Sequence, residues 1–120
     1  MRCFDSNVII DSLNGVQAAQ DLLATEGEDV VSVVTWIEVL AGCRDEREDQ
    51  AARALLGTFR IISLDGAVAE ETVRLRKLRR LKVPDAAVLA TASALGCGLI
   101  TRNTKDFAAD DPLIHIPYQL

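Results

Sequence analysis

Short apolar runs rich in β-branched residues alternate with longer stretches of helical spacing, and this alternation constrains the fold more than any other feature of the chain. The interior runs are apolar on both faces, which is typical of parallel strands covered by helices on both sides. Five runs are predicted as strands: Cys3–Phe4, Val30–Val34, Arg60–Leu64, Leu99–Ile100 and Leu113–Ile116. The sequence therefore predicts an α/β fold, a three-layer α/β/α sandwich with a central, mostly parallel five-stranded sheet.

The size of the chain suits one such sandwich. It has 120 residues, of which 49% are apolar. A chain of this length can bury roughly two-thirds of the surface that its unfolded form exposes, so it can build a core without disulfides or metal ions. No linker, internal repeat or low-complexity segment divides the sequence. We expect one domain that spans residues 1–120.

The apolar segments predict neither a membrane segment nor an oxidising compartment. The longest uncharged run, 86–101, is shorter than the ~20 residues that a membrane-spanning helix needs. Charged Asp5 interrupts the N-terminus before an apolar signal sequence develops. Three cysteines, Cys3, Cys43 and Cys97, fit no metal-ligand spacing. We therefore expect a cytoplasmic protein with buried free thiols and no membrane contact.

Four acidic residues are predicted to meet where ligands bind in this kind of sheet, beyond the carboxyl ends of the strands. Asp5 directly follows the first strand, and Glu38 lies in the helix after the second. Asp85 opens the helix before the fourth strand, and Asp106 follows that strand. We expect these four carboxylates to converge on one crevice.

Each acid also has a structural interpretation. Asp5 could cap the helix that follows it, Asp85 could stabilise a helix N-terminus, and Asp106 could stabilise a turn. For these three residues, taken singly, both interpretations stay open. Glu38 shares a helical stripe with the apolar residues Val34, Ile37 and Ala41. It is therefore expected on or beside the apolar face, where an unpaired glutamate is rare.

A cluster of acids has a chemical consequence. Two carboxylates about 4 Å apart repel by roughly 4 kcal/mol, which is large against a domain stability of about 5–15 kcal/mol. The cluster must bind a cation or protonate, and oxygen-only ligands favour Mg²⁺ or Mn²⁺. The sole histidine, His115, lies in the last apolar run and is interpreted as a core or surface residue. A metal would therefore activate water, which predicts phosphodiester hydrolysis or another phosphoryl transfer.

A basic segment, residues 74–82, stands out because the chain has a net charge of −5, which excludes nucleic-acid binding through its overall field. Six of its nine residues are lysine or arginine. The leucines of the segment recur at helical spacing, so they are expected to dock while the cations face outward. A solvated helix face explains most such runs. This one ends shortly before Asp85, so contact with a phosphate backbone stays equally open, and its candidate residues are Arg76, Arg79, Arg80 and Lys82.

Four segments that contain these acids resemble the PIN-domain ribonucleases, and the bacterial VapC-type toxins of type II toxin–antitoxin pairs are the most similar group. The segments are 4–10, 35–42, 84–92 and 99–107, and they occur in the family's order. An aspartate after a strand is ordinary, but four such segments in order form a specific pattern. The last two segments are the most specific.

The resemblance implies a Mg²⁺- or Mn²⁺-dependent endoribonuclease that acts as a toxin, usually as a homodimer, with an antitoxin protein that blocks its site. It implies that Asp5, Glu38, Asp85 and Asp106 are catalytic and that Asp5, Asp85 and Asp106 bind the metal. It also implies that Thr101, Asn103 and Ser6 support the site.

Two alternatives to a nuclease are considered. A receiver-like phosphosignalling domain fits the length and the α/β pattern. However, a receiver domain needs an adjacent pair of acids after its first strand, and here Ser6 and Asn7 follow Asp5. A receiver domain also needs a phosphoacceptor aspartate at the end of its third strand, and the only candidate there is Asp65. A PIN-like module that binds its partner without cleavage is the second alternative. The complete set of acids argues against it.

Overall fold

The computed structural model describes residues 1–120 and contains five strands and six helices. The strands are β1 (Arg2–Phe4), β2 (Asp29–Ser32), β3 (Arg60–Ile62), β4 (Leu99–Ile100) and β5 (Ile114–His115). The helices are α1 (Ser6–Leu13), α2 (Gln17–Ala24), α3 (Val33–Ala41), α4 (Glu46–Leu56), α5 (Gly66–Arg79) and α6 (Val83–Ala94).

The strands form one sheet in the order β3–β2–β1–β4–β5, and every pair of neighbours is parallel. The chain winds outward from β1 to β3 and then returns to the other side of β1, so the direction of winding reverses between β1 and β4. A crevice for ligands opens at this point, beyond the carboxyl ends of the strands. Receiver domains have the order 2-1-3-4-5, so the receiver-like alternative is wrong.

Helices cover both faces of the sheet, which confirms the predicted sandwich. Successive residues of a strand point to opposite faces, and here they enter two separate cores. Cys3, Val30 and Leu99 pack with residues of α5 and α6. Their neighbours, including Phe4 and Val31, pack with residues of α1 to α4. The central strands are therefore buried on both sides, as their apolar sequences predict.

Strands β2 and β3 each end two residues earlier than their β-branched sequences suggest, and β5 ends one residue earlier, at His115. Strand β2 stops at Ser32, because the Ser32 side chain accepts a hydrogen bond from the Val34 backbone N–H and caps α3. The predicted strand Val30–Val34 is thus wrong at its end. The third strand ends at Ile62 rather than Leu64.

The remaining expectations concern cysteines and membrane contact. All three cysteines are free, with Cys3 buried and the other two partly exposed. Burial raises the pKa of the Cys3 thiol to about 12, and the nearby Cys97 and Asp5 add to this rise. His115 is exposed. None of the helices combines the length and the apolar character that crossing a membrane requires.

Candidate active site

Asp5 lies at the reversal point of the sheet, where β1 and β4 end side by side. Its backbone N–H donates to the Ile100 carbonyl at 2.9 Å and extends the pairing of these strands. The carboxylate caps α1, with Oδ1 accepting from the Ser6 backbone N–H at 2.8 Å. Oδ2 accepts from the Thr101 hydroxyl at 2.7 Å. Asp5 thus caps a helix, as its structural interpretation predicts, and also faces the end of the neighbouring strand.

Asn7 completes this arrangement, and sequence reasoning did not single it out as a site residue. Its Nδ2 donates to Asp5 Oδ2 at 3.2 Å and to Thr101 Oγ1 at 3.0 Å. Its Oδ1 accepts from the Arg102 backbone N–H at 2.9 Å. The signal in the sequence is an amide two residues after the capping aspartate. Asn7 fixes the orientation of the Asp5 carboxylate relative to the segment after β4.

Asp106 is held by the segment that follows β4. Asn103 donates from Nδ2 to Asp106 Oδ2 at 3.0 Å and accepts from the Asp106 backbone N–H at 3.1 Å. The Asn103 backbone N–H in turn donates to Thr101 Oγ1 at 3.0 Å. The Thr101 hydroxyl therefore uses its donor and both of its acceptor positions within the site. Hydrogen bonds run without a break from Asp5 through Thr101 and Asn103 to Asp106.

Asp85 lies in the first turn of α6, where the helix dipole favours a carboxylate. It is half-buried. Burial raises the pKa of Asp85, and the negative charges of Asp106 and Asp5 raise it further, against the opposing effect of Lys82. The structure thus brings Asp85 within electrostatic reach of two other acids.

Glu38 corrects one expectation. The sequence predicts it on or beside the apolar face of α3, but Glu38 is exposed, as is Ile37 with 53% of its surface. The buried residues of α3 are Thr35 and Val39. Partial desolvation nevertheless raises the pKa of Glu38, and the charges of Asp5 and Asp85 add to this rise.

The four acids are therefore coupled through their charges. Burial raises the pKa of Asp5, although its hydrogen bonds from Thr101, Ser6 and Asn7 oppose the rise. No group of three or more acidic, histidine or cysteine side chains is arranged so that it could hold a metal ion as it stands. The donor set consists only of oxygen atoms, and none of the four acids forms an ion pair with a lysine or an arginine. This chemistry fits a hard divalent ion such as Mg²⁺.

The basic segment lies at the end of α5 and differs in part from its prediction. Leu75 and Leu81 are buried, but Leu78 is 65% exposed, so it does not dock. Arg76 donates to the Leu81 carbonyl at 2.8 Å, and Arg79 is paired with Asp111. Two of the four candidate cations thus stabilise the fold locally. The other two, Arg80 and Lys82, are exposed.

Comparisons with known proteins agree with this geometry. The family model of the PIN domain matches residues 2–110. The chain is 31% identical over 111 residues to ribonuclease VapC10 of Mycobacterium tuberculosis, and the match covers 86% of this chain and 83% of that protein.

Solved structures of similar fold are also known. A toxin–antitoxin complex from Klebsiella pneumoniae contains a chain that is 41% identical, with a TM-score of 0.90 and full coverage of both chains. The FitAcB structure from Neisseria gonorrhoeae is 23% identical with a TM-score of 0.80 over 98% of each chain, which supports the fold alone.

Proposed function

Because the chain belongs to the PIN-domain family and is a VapC-type ribonuclease, the toxin of a toxin–antitoxin pair, we propose that its four clustered acids cleave RNA with a divalent cation. The observation that carries the proposal is the chain of hydrogen bonds that joins Asp5 to Asp106 through Thr101 and Asn103 at the reversal point of the sheet. The charges of neighbouring acids also raise the pKa of Glu38 and of Asp85. Such a cluster favours a bound cation. The similarity to a ribonuclease favours cleavage over binding without cleavage, which is the remaining alternative.

We assign a different role in the reaction to each group of side chains. Asp5, Asp85 and Asp106 would hold Mg²⁺ or Mn²⁺. When bound, such an ion lowers the pKa of water and offsets charge on a phosphoryl oxygen. Glu38, with its exposed carboxylate and raised pKa, would accept a proton from the attacking water. Thr101, with Ser6 and Asn7, orients the Asp5 carboxylate, and Asn103 positions Asp106.

The assay that tests this proposal compares an RNA with a DNA of the same sequence. We expect the purified protein to cut the RNA internally in the presence of Mg²⁺ or Mn²⁺ and to lose this activity in EDTA. The reason is that carboxylates without a bound divalent cation do not lower the pKa of water. Restoring the cation should restore cleavage. Equal cutting with and without EDTA would contradict a metal-dependent reaction, and a preference for DNA would contradict the substrate class.

Arg80 and Lys82 are the cations that we assign to the RNA backbone, since Arg76 and Arg79 are engaged within the protein. Arg80 is the one non-glycine residue with a positive φ, 54°, and it ends α5 in the left-handed conformation. Glycine is the usual residue at this position of a helix end. A cation at a position where the backbone favours glycine supports a role for the side chain itself.

Arg80→Gly separates this role from stability. We expect the variant to gain about 1 kcal/mol of unfolding free energy from relief of the strained backbone. We also expect its RNA affinity to fall several-fold. The slope of the logarithm of the binding constant against the logarithm of the salt concentration should decrease by about one, which corresponds to the loss of one phosphate contact. Urea unfolding and fluorescence anisotropy at several salt concentrations measure both effects. Lys77→Gln, an exposed cation on the same helix, is the control and should leave RNA affinity unchanged. Unchanged RNA affinity in Arg80→Gly would contradict the assignment.

We infer that a cognate antitoxin is a partner of this chain, since a chain that is 41% identical to it occurs in a toxin–antitoxin complex. The expected homodimer is a proposal. It is supported by large apolar side chains that the single chain leaves exposed, such as Ile37 at 53%, Val83 at 54% and Leu78 at 65%. Light scattering measures its mass, and a monomeric mass at micromolar concentration would contradict the proposal.

A further inference from the structure

An ion pair outside the acid cluster, with Asp11 buried and Arg102 partly exposed, lies at the start of the segment that carries Asn103 and Asp106. We propose that the Asp11–Arg102 pair, closed by Tyr118, is a positioning device that sets Asn103 and Asp106 against the Asp5 carboxylate. Here "clamp" denotes these three residues: Asp11, Arg102 and Tyr118. The inference rests on the proposed function and assigns a role to residues outside the acid cluster.

Asp11 is the centre of the clamp. It lies on α1 and is only 6% exposed. Arg102 binds it with both branches of the guanidinium group, from Nε to Oδ2 at 2.7 Å and from Nη2 to Oδ1 at 2.8 Å. The Tyr118 hydroxyl donates to Oδ2 at 2.7 Å. This bidentate, charge-assisted geometry fixes orientation as well as distance.

The charges show that the pair is well matched. Burial opposes ionisation of Asp11, but hydrogen bonds from Arg102 and Tyr118 outweigh it, so the pKa of Asp11 is lowered. Burial and the hydrogen bond to Asp11 raise the pKa of Tyr118 to about 12. The tyrosine therefore stays a hydrogen-bond donor at neutral pH.

Arg102 is held by α1 at two points. Its guanidinium group binds Asp11, and its backbone N–H donates to Asn7 Oδ1 at 2.9 Å. Asn7 and Asp11 are four residues apart on α1, so their side chains lie on the same face of the helix. The same Asn7 donates to Asp5. One helix face thus sets the position of Arg102 and the orientation of the Asp5 carboxylate together.

The clamp acts on the site through sequence neighbours. Arg102 stands between Thr101, which donates to Asp5, and Asn103, which holds Asp106. Other contacts already anchor the two ends of this segment. The Thr101 backbone N–H donates to the His115 carbonyl at 3.0 Å, and Phe107 is buried in the core. The fold therefore has its own anchors, and the clamp orients the short segment between them.

The test combines kinetics with a spectroscopic signal that does not depend on catalysis. Arg102→Met and Asp11→Asn should lower kcat for RNA cleavage by about 10–100-fold, the usual cost of losing a residue that orients a catalytic group, while KM changes by less than about threefold. In the metal-free protein, the side-chain NH₂ signals of Asn103 should shift in the ¹H–¹⁵N spectrum of both variants.

A second ion pair provides the matched control. Arg2 binds Asp29 with Nε and Nη2 at 2.8 and 3.0 Å, and this pair is buried to a similar degree but lies at the opposite, amino end of the strands. Asp29→Asn should lower the melting temperature, leave kcat within about twofold of the wild type, and leave the Asn103 signals in place. A loss of kcat in Asp29→Asn equal to that in Asp11→Asn would overturn the positioning role.

Two milder variants keep the inference testable if removal of a charge prevents folding. Arg102→Lys retains the charge but loses the bidentate geometry, and Tyr118→Phe removes one hydrogen bond. We expect kcat to decrease in the order wild type, Tyr118→Phe, Arg102→Lys, Arg102→Met. Wild-type kcat in Arg102→Lys, or unmoved Asn103 signals, would overturn the inference. An inactive wild-type protein would instead refute the proposed function, and the spectroscopic comparison would still decide on the clamp.

Discussion

Asp5→Asn is expected to lower the rate of RNA cleavage by about 10³-fold or more while the protein stays folded. Loss of a residue that only orients a metal ligand already costs about 10–100-fold, and Asp5 is assigned to the metal directly. Asparagine has nearly the same shape and is an equally good helix cap. Its amide oxygen can still accept the hydrogen bond from the Ser6 backbone N–H. The change therefore keeps the helix cap, removes the negative charge, and replaces Oδ2, the acceptor for Thr101 and Asn7, with an NH₂ donor.

The control for this variant is another capping aspartate. Asp65 accepts from the Val68 backbone N–H at 2.9 Å and caps α5, and Asp65→Asn makes the same chemical change away from the acids. We expect Asp65→Asn to keep wild-type activity. Single-turnover cleavage of RNA, with circular dichroism as the check on folding, compares the two. Retention of activity in folded Asp5→Asn would exclude Asp5 from catalysis.

The second large effect concerns stability and the divalent cation. Mn²⁺ at ten times its Kd should stabilise the wild-type protein by about 1.4 kcal/mol, which raises the Tm of a chain of this size by about 5 °C. The gain arises because the cation offsets repulsion among the acids. The charges of Asp5 and Asp85 raise the pKa of Glu38, and those of Asp106 and Asp5 raise the pKa of Asp85. Differential scanning calorimetry with and without the ion measures it. Asp5→Asn should show little of this stabilisation, and an equal shift in both proteins would place the cation elsewhere.

The pH dependence follows from the direction of the same pKa shifts. Asp5, Glu38 and Asp85 have raised pKa values in the folded state, so the folded protein binds protons more strongly than the unfolded chain. Their stabilising contribution is complete below a pH of about 4 and is lost as the pH rises through the raised folded values. Without metal, the Tm of Asp5→Asn relative to that of the wild type should therefore be highest near pH 7 and should fall as the pH approaches 4. Thermal melts over this pH range measure the difference.

Most of the fold could be predicted from the sequence, because the decisive signals are local. Apolar runs mark all five strands, and aspartate or serine marks the start of several helices. The error at the end of β2 shows the limit of a prediction from β propensity. Val33 and Val34 favour a strand by their branching, but the Ser32 cap starts a helix at that point. A single hydrogen bond there outweighs the β propensity of two residues.

The resemblance identified Thr101, Asn103 and Ser6 as supporting residues, but it did not indicate which acid each of them contacts, and it did not identify Asn7. Asp5 is joined to Thr101 across 96 positions of the chain, and such pairings cannot be read from local patterns. The same holds for Arg79, which was expected to contact a phosphate backbone. It pairs instead with Asp111, which lies 32 residues away in the sequence. Glu38 was misjudged for another reason. Two apolar residues of its stripe on α3, Ile37 and Ala41, remain exposed, so helical spacing alone did not identify the buried face.

The order in which the parts of this sheet are synthesised has a consequence for the cell that makes the enzyme. Strand β1 is translated first. Its neighbour β4, and Thr101, which donates a hydrogen bond to Asp5, follow more than ninety codons later. A growing polypeptide thus carries its first acid long before Thr101, Asn103 and Asp106 exist to complete the centre. The centre therefore cannot assemble before residue 106 has been added, because three of the groups that complete it come from the last fifth of the chain.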